Sequence, residues 1–334
     1  AVTFRAFGAE TREFSHSLVS GWVCFAVNTM TTRFPNFLIG CLLVLASCVT
    51  AHSQQIADPH FNTRVESPAY SKNYPRVLFD EAHNNFHTVS GRYKPFAELI
   101  FSDGYQVVVN RKPFTKESLK TFKVLVIANA LGAEEMEDEG ADQPAFTEAE
   151  SDAVRDWVRG GGALLLIADH APFGAAAEIL AKRFSVTMSK GFVFDPDHSE
   201  ANPSSSLIFS RENKLLLDHP ITQGRNETER IDRVQTFTGQ ALKGGEGAMP
   251  FLKLAETAKD APSRTAEQSV SVAGQAQGLA MKFGKGRVVM MGEAAMLSAQ
   301  VSGPQNRPMG MNVPGSDNRQ LALNIMHWLS GLLK

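Results

Sequence analysis

Cysteine is almost missing from this chain, and its three cysteines, Cys24, Cys41 and Cys48, all fall before residue 54. Residues 54–334 therefore have no intramolecular disulfide, no cysteine nucleophile and no thiolate-bound zinc. A charge excess of one sign is also lacking, since 33 basic against 35 acidic side chains leave a net charge of −2. Without a basic patch carrying interleaved aromatics, nucleic acid is not expected as a partner. Beyond residue 53 no apolar stretch approaches transmembrane length. Gly-x-Ser-x-Gly, a phosphate-cradling loop and a dinucleotide fingerprint are absent too, and no segment repeats.

What is present first is a leader. Met30 to Asn36 forms a short n-region with one positive charge, Arg33, and Phe37 to Ala46 forms an apolar h-region broken only by Gly40. Ala51-His52-Ser53 supplies a small-x-small cleavage pattern before Gln54. Residues 30–53 thus read as a secretory signal peptide, and 1–29 as an over-extended N-terminus. Leu45-Ala46-Ser47-Cys48 resembles a lipobox, so a lipid anchor at Cys48 is the alternative to a periplasmic or secreted protein. Contact with a membrane is expected only through one of these two devices.

Residues 54–75 are polar, contain Pro59 and Pro68, and read as a linker. From Arg76 the pattern alternates. Apolar runs at 76–79, 105–109, 123–129 and 163–168 read as strands, separated by helical patterns at 93–102, 115–119 and 146–159 and followed by another at 175–184. Thr147 with Glu150 has the spacing of a capping box. This β-α-β order calls for right-handed crossovers and a parallel sheet with helices on both faces. Residues 185–265 are less regular and read as an insertion. Gly284-Lys285 joins two apolar runs as a C-terminal hairpin, and 318–332 reads as a terminal helix with Asp317 as its N-cap. Residues 76–334 are expected to form a single domain.

Three of the apolar runs end in titratable groups: Asp80, Glu81, His83 and His87 after the first, Asp169-His170 after the fourth, and Glu293 after the last. In open α/β sheets the ligand crevice lies outside the strand carboxyl ends, so these groups are expected to share one site. Asp80 or Glu81 would serve as general base or metal ligand, and each would otherwise cap a local helix. His83 and His87, four apart, would lie on one face of a helix, and with Asp169 and His170 they form a candidate set for a divalent metal. Glu293 completes the cluster or is simply a buried, satisfied carboxylate. Asp195, Asp197 and His198 read as a structural turn, and the acid-rich stretch 134–142 as a solvated loop.

The segments 79–85, 157–164, 168–170, 286–289, 292–296 and 318–331 resemble the class I glutamine amidotransferase-like superfamily, and within it an uncharacterised bacterial group with a DUF4350-type domain. The resemblance implies a flavodoxin-like fold from about Arg76 to Leu332. Relatives of this fold include sugar-utilisation proteins and domains of gliding-motility and intraflagellar-transport proteins. It also implies a departure, because the glutaminase elbow Gly-x-Cys-x-Gly is replaced here by Asp169-His170-Ala171-Pro172. Glutamine amidotransfer is therefore not expected. Three readings follow. The first is an exported hydrolase, metal-assisted or not, acting on a polar or carbohydrate-type substrate through Asp80, Glu81, His83, Asp169, His170 and Glu293. The second is a non-catalytic domain binding a small polar or glycan ligand, and the third an envelope scaffold. Convergence of the six side chains would favour catalysis or metal binding, and separate capping roles would favour the binding or scaffold readings.

Overall fold

The computed structural model describes residues 55–199 and 205–334, and the segments read as a signal peptide and a lipobox lie outside them. Nine strands form the central sheet: β1 (Arg76–Asp80), β2 (Gln106–Asn110), β3 (Val124–Ala128), β4 (Ala163–Ile167), β5 (Val186–Met188), β6 (Leu242–Gly244), β7 (Met249–Lys253), β8 (Ala276–Phe283) and β9 (Gly286–Met291). Their order is β2-β1-β3-β4-β9-β8-β6-β5, with β7 paired to β8. The first five in that order are mutually parallel, and the pairings beyond β9 are antiparallel. The protein is thus α/β with a mixed sheet. The expected hairpin is β8–β9, closed in the register Phe283 to Gly286.

β3 and β4 are buried at every residue, which is why their apolar runs show no alternation. Within them alternate residues still serve opposite faces. Val124, Val126, Leu165 and Ile167 join a core with helices α1 (Lys94–Ser102) and α5 (Asn318–Ser330). Leu125, Ile127, Leu164 and Leu166 join a second core. That core includes residues of α2 (Lys116–Leu119), α3 (Glu148–Arg159) and α4 (Phe173–Lys182). Gly162 follows α3 because a Cβ there would lie 2.3 Å from the Trp157 ring.

Three expectations need correction. Residues 55–75 are not a free linker: Ile56–Ala57 pairs with the strand Ala299–Ser302, and Phe61, Val65 and Tyr70 pack on the core. The region 185–265 is not all insertion, since β5, β6 and β7 belong to the central sheet. β5 and β6 are three residues long, too short to show a period. Asp317 stands at the N-cap position of α5 but makes no cap hydrogen bond; its carboxylate accepts from Asp232 N and Arg233 N, at 2.8 and 3.0 Å. The Thr147–Glu150 capping box forms as expected. Among the described residues no helix is long and apolar enough to cross a membrane.

Candidate functional site

Parallel pairing brings the carboxyl ends of β1, β3, β4 and β9 side by side, so the loops that follow them meet. The titratable residues in those loops nevertheless divide into separate groups. After β1 the chain makes turns, with Asn84 at φ 47°, and not the helix that a His83–His87 face would need. His83 donates from Nδ1 to Asp80 Oδ2 at 2.8 Å and from Nε2 to Glu150 Oε1 at 3.0 Å. Its ring lies between Phe114 and Phe146, each 4.7 Å away. Burial opposes a charge on the imidazole, but the hydrogen bonds and charges of Asp80 and then Glu150 outweigh it and raise the pKa. Burial likewise works against the Glu150 carboxylate. His83, Thr147 and the Phe114 N–H override it and pull its pKa down to about 2. Asp80, fully buried, also accepts from Asn110 Nδ2 at 2.9 Å. This trio ties the end of β1 to the start of α3 and presents no free group.

Glu81 and Glu293 are occupied as well. Glu81 accepts from Val89 N at 2.9 Å and pairs with Arg111 at 3.4 Å. Glu293 accepts from Ala295 N and Met296 N, both at 2.8 Å, and so caps the 3-10 turn Ala295–Leu297. Complete burial and the nearby Asp169 charge raise its pKa well above the usual carboxylate range. Asp195 accepts from His198 Nδ1, the Asp197 amide and Thr257 Oγ1, so it holds its own turn and ties it to Thr257.

His87, Asp169 and His170 do come together, lining a cleft of about 810 Å³ with Arg92, Asn129 and Arg264. Phe86, Phe173, Phe192 and Phe237 supply apolar wall. Asp169 Oδ1 accepts from the N–H of its neighbour His170 at 2.8 Å; no donor among the described residues reaches its second oxygen. His87 stacks on Tyr93 with ring centroids 4.8 Å apart, and its Nδ1 is buried without a partner. Burial, then the charges of Arg92 and His170, push its pKa down to about 3. His170 lies against Phe192, donates from Nδ1 to Ala171 O at 2.7 Å and receives Arg264 Nη2 on Nε2 at 3.2 Å.

Residues that sequence reading passed over hold this arrangement. Asn129 ends β3 at φ 52°, a backbone region that asparagine tolerates better than most residues. Its Oδ1 accepts from Asp169 N at 3.0 Å. The apolar run up to Asn129 was a local signal for the strand end, whereas Gln240 offered none. Gln240 is fully buried and donates from Nε2 to the carbonyls of Ala168 and Asp169, at 2.9 and 3.0 Å. A Cβ on Gly174 would fall 2.2 Å from Gln240 Oε1. Gly174→Ala is thus expected to lose about 1 to 3 kcal/mol by overpacking in urea unfolding. Exposed helix positions gain up to about 1 kcal/mol from the same change, so a stabilised variant would refute the clamp.

Among the described residues no group of three or more His, Cys, Asp or Glu is arranged to hold a metal ion. The candidate set fails for a structural reason. Both ring nitrogens of His83 bind carboxylates and both of His170 are engaged, which leaves His87, stacked on Tyr93, and Asp169 as two groups only.

No family profile matches the chain, and no curated protein does. Among solved structures, the mmIFT52 N-terminal domain superposes with a TM-score of 0.53 at 14% identity, covering 77% of this chain and 97% of that one. That is a likeness of fold. ThuA-like proteins are also among the neighbours, at low identity. The one from Bacteroides uniformis has a TM-score of 0.40 at 13% identity, over 82% of this chain and 95% of its own. The one from Parabacteroides merdae has 0.42 at 12%, over 78% and 91%.

Proposed function

We propose that this chain is an exported, glutamine amidotransferase-like domain of the DUF4350-type group that binds a small polar, carbohydrate-type ligand in the Asp169 cleft. The observation that carries the proposal is the division of the site. Asp80, His83, Glu81 and Glu293 are each spent on local structure, while Asp169, Asn129 and His87 face one cleft with aromatic walls. Aromatic faces with a few fixed polar groups are the usual makings of a small-molecule site. The parallel strands run in the order 2-1-3-4-5 when numbered among themselves, the flavodoxin-like order, whose ligand crevice lies where the order reverses. No cysteine follows β4, which fits a domain without glutaminase chemistry. The leader pattern at 30–53 supports export.

The test is calorimetric titration of the full chain with a panel of monosaccharides and disaccharides. At least one sugar is expected to bind saturably, and Asp169→Asn to weaken it about tenfold, the worth of one charge-assisted hydrogen bond. Binding that ignores Asp169→Asn would remove the cleft from consideration. Turnover of a nitrophenyl glycoside by the wild type, lost in Asp169→Asn, would instead favour the exported hydrolase.

A further inference from the structure

Two arginines, Arg92 and Arg264, share the cleft with two carboxylates, Asp169 and Glu137. Arg92 donates from Nε to the Gln55 carbonyl at 3.0 Å and lies 4.4 Å over the Phe86 ring. Arg264 contacts His170 and lies 5.3 Å over Phe192. Neither guanidinium makes an ion pair among the described residues, although both line the cleft. Half-buried Arg92 is the more telling, because a charge removed from water without a counter-charge is costly. The ten-residue helix α4 also begins at the cleft. Its N-cap is Pro172, no side chain caps it, and the Phe173 and Ala175 N–H groups donate to the His170 and Pro172 carbonyls, so what this end offers an anion is chiefly the helix dipole. Finally, His87 is 3% exposed, lines the cleft and keeps Nδ1 unpartnered.

We infer that the ligand is an acidic sugar, whose carboxylate is drawn to Arg92 and Arg264 and whose ring lies along the phenylalanine wall. This rests on the reading of the cleft as a ligand site. Planar guanidinium groups suit a carboxylate. Asp169, on the same cleft, repels a second anion and accepts ring hydroxyls. The ligand class is thus singly anionic at one pole and hydroxylated at the other, and a neutral sugar leaves both arginines unanswered.

The experiment compares D-glucuronate and D-galacturonate with glucose, galactose and glucose 6-phosphate, by calorimetry on the full chain at low ionic strength. A uronate is expected to bind at least about tenfold more tightly than its neutral parent, as for one charge-assisted hydrogen bond. That ratio should fall to within about twofold in the Arg92→Gln/Arg264→Gln double variant, with weak neutral-sugar binding retained. Arg264→Gln alone alters an exposed side chain and should lower the ratio without disturbing the fold. Equal binding of acid and parent, both weakened by Asp169→Asn, would overturn the acidic-sugar inference and leave the ligand site standing. Preference for glucose 6-phosphate over both uronates would overturn the carboxylate assignment, and no binding by any probe would overturn both readings.

Discussion

Glu150→Ala is expected to destabilise the protein by about 3 to 5 kcal/mol, the cost of removing one partner from a buried ion pair. It would leave His83, between Phe114 and Phe146, with Asp80 alone as its carboxylate partner, and take the acceptor from Phe114 N and Thr147 N at the same time. The difference between wild type and variant should also depend on pH, with opposite slopes on its two sides. Glu150 has a folded pKa of about 2 against an ordinary 4.5. Its contribution is therefore present above about 4.5 and lost as pH falls toward 2. His83 has a raised folded pKa, so its contribution is complete below 6.5 and is lost as pH rises through the folded value. The stability difference should be greatest between about pH 4.5 and 6.5. Wild-type stability alone would mislead here. His87 and His219, pushed down to about 3 and about 4 by burial first, erode it as pH falls below 6.5. Urea unfolding of both proteins across pH isolates the Glu150 share, and a flat difference would show that the trio does not work as an ion cluster.

Tyr93→Ala is the second large effect, with an expected loss of about 3 to 5 kcal/mol for an aromatic core truncation. Tyr93 is fully buried, packs on Phe79 and Phe96, and donates its hydroxyl to Ala294 O at 2.6 Å. It is also the surface on which His87 stacks. Tyr93→Phe removes only the hydrogen bond and leaves that surface, so about 1 kcal/mol is expected. Ligand binding at the cleft should survive Tyr93→Phe and weaken sharply in Tyr93→Ala at temperatures where that variant is still folded. Thermal unfolding with calorimetry on both variants separates the two effects, and unchanged affinity in Tyr93→Ala would mean that His87 takes no part in binding.

Much of the scaffold was readable because its causes are local. Val124 to Ala128 and Ala163 to Ile167 are unbroken apolar runs, and each is a strand buried throughout. Thr147 and Glu150 cap α3 through atoms three residues apart. The site was readable only as a neighbourhood. Asp169 and His170 reach the cleft, as position after β4 suggested, whereas His83 and Glu293 turn into the structure. Arg264 and Gln240 come from the region that showed no pattern, and their partners, His170 and the Asp169 carbonyl, lie 94 and 71 residues away.

The amino-acid order settled which segments become strands and helices and which strand ends carry polar groups, because burial pattern and capping act over a few residues. Which of those groups stay available was settled by folding. A carboxylate or imidazole takes whatever donor or acceptor the packed chain delivers within about 3 Å. For His83 one such partner comes from α3, 67 residues on, and for Asp169 the described residues deliver supports on its backbone but no donor to its second oxygen.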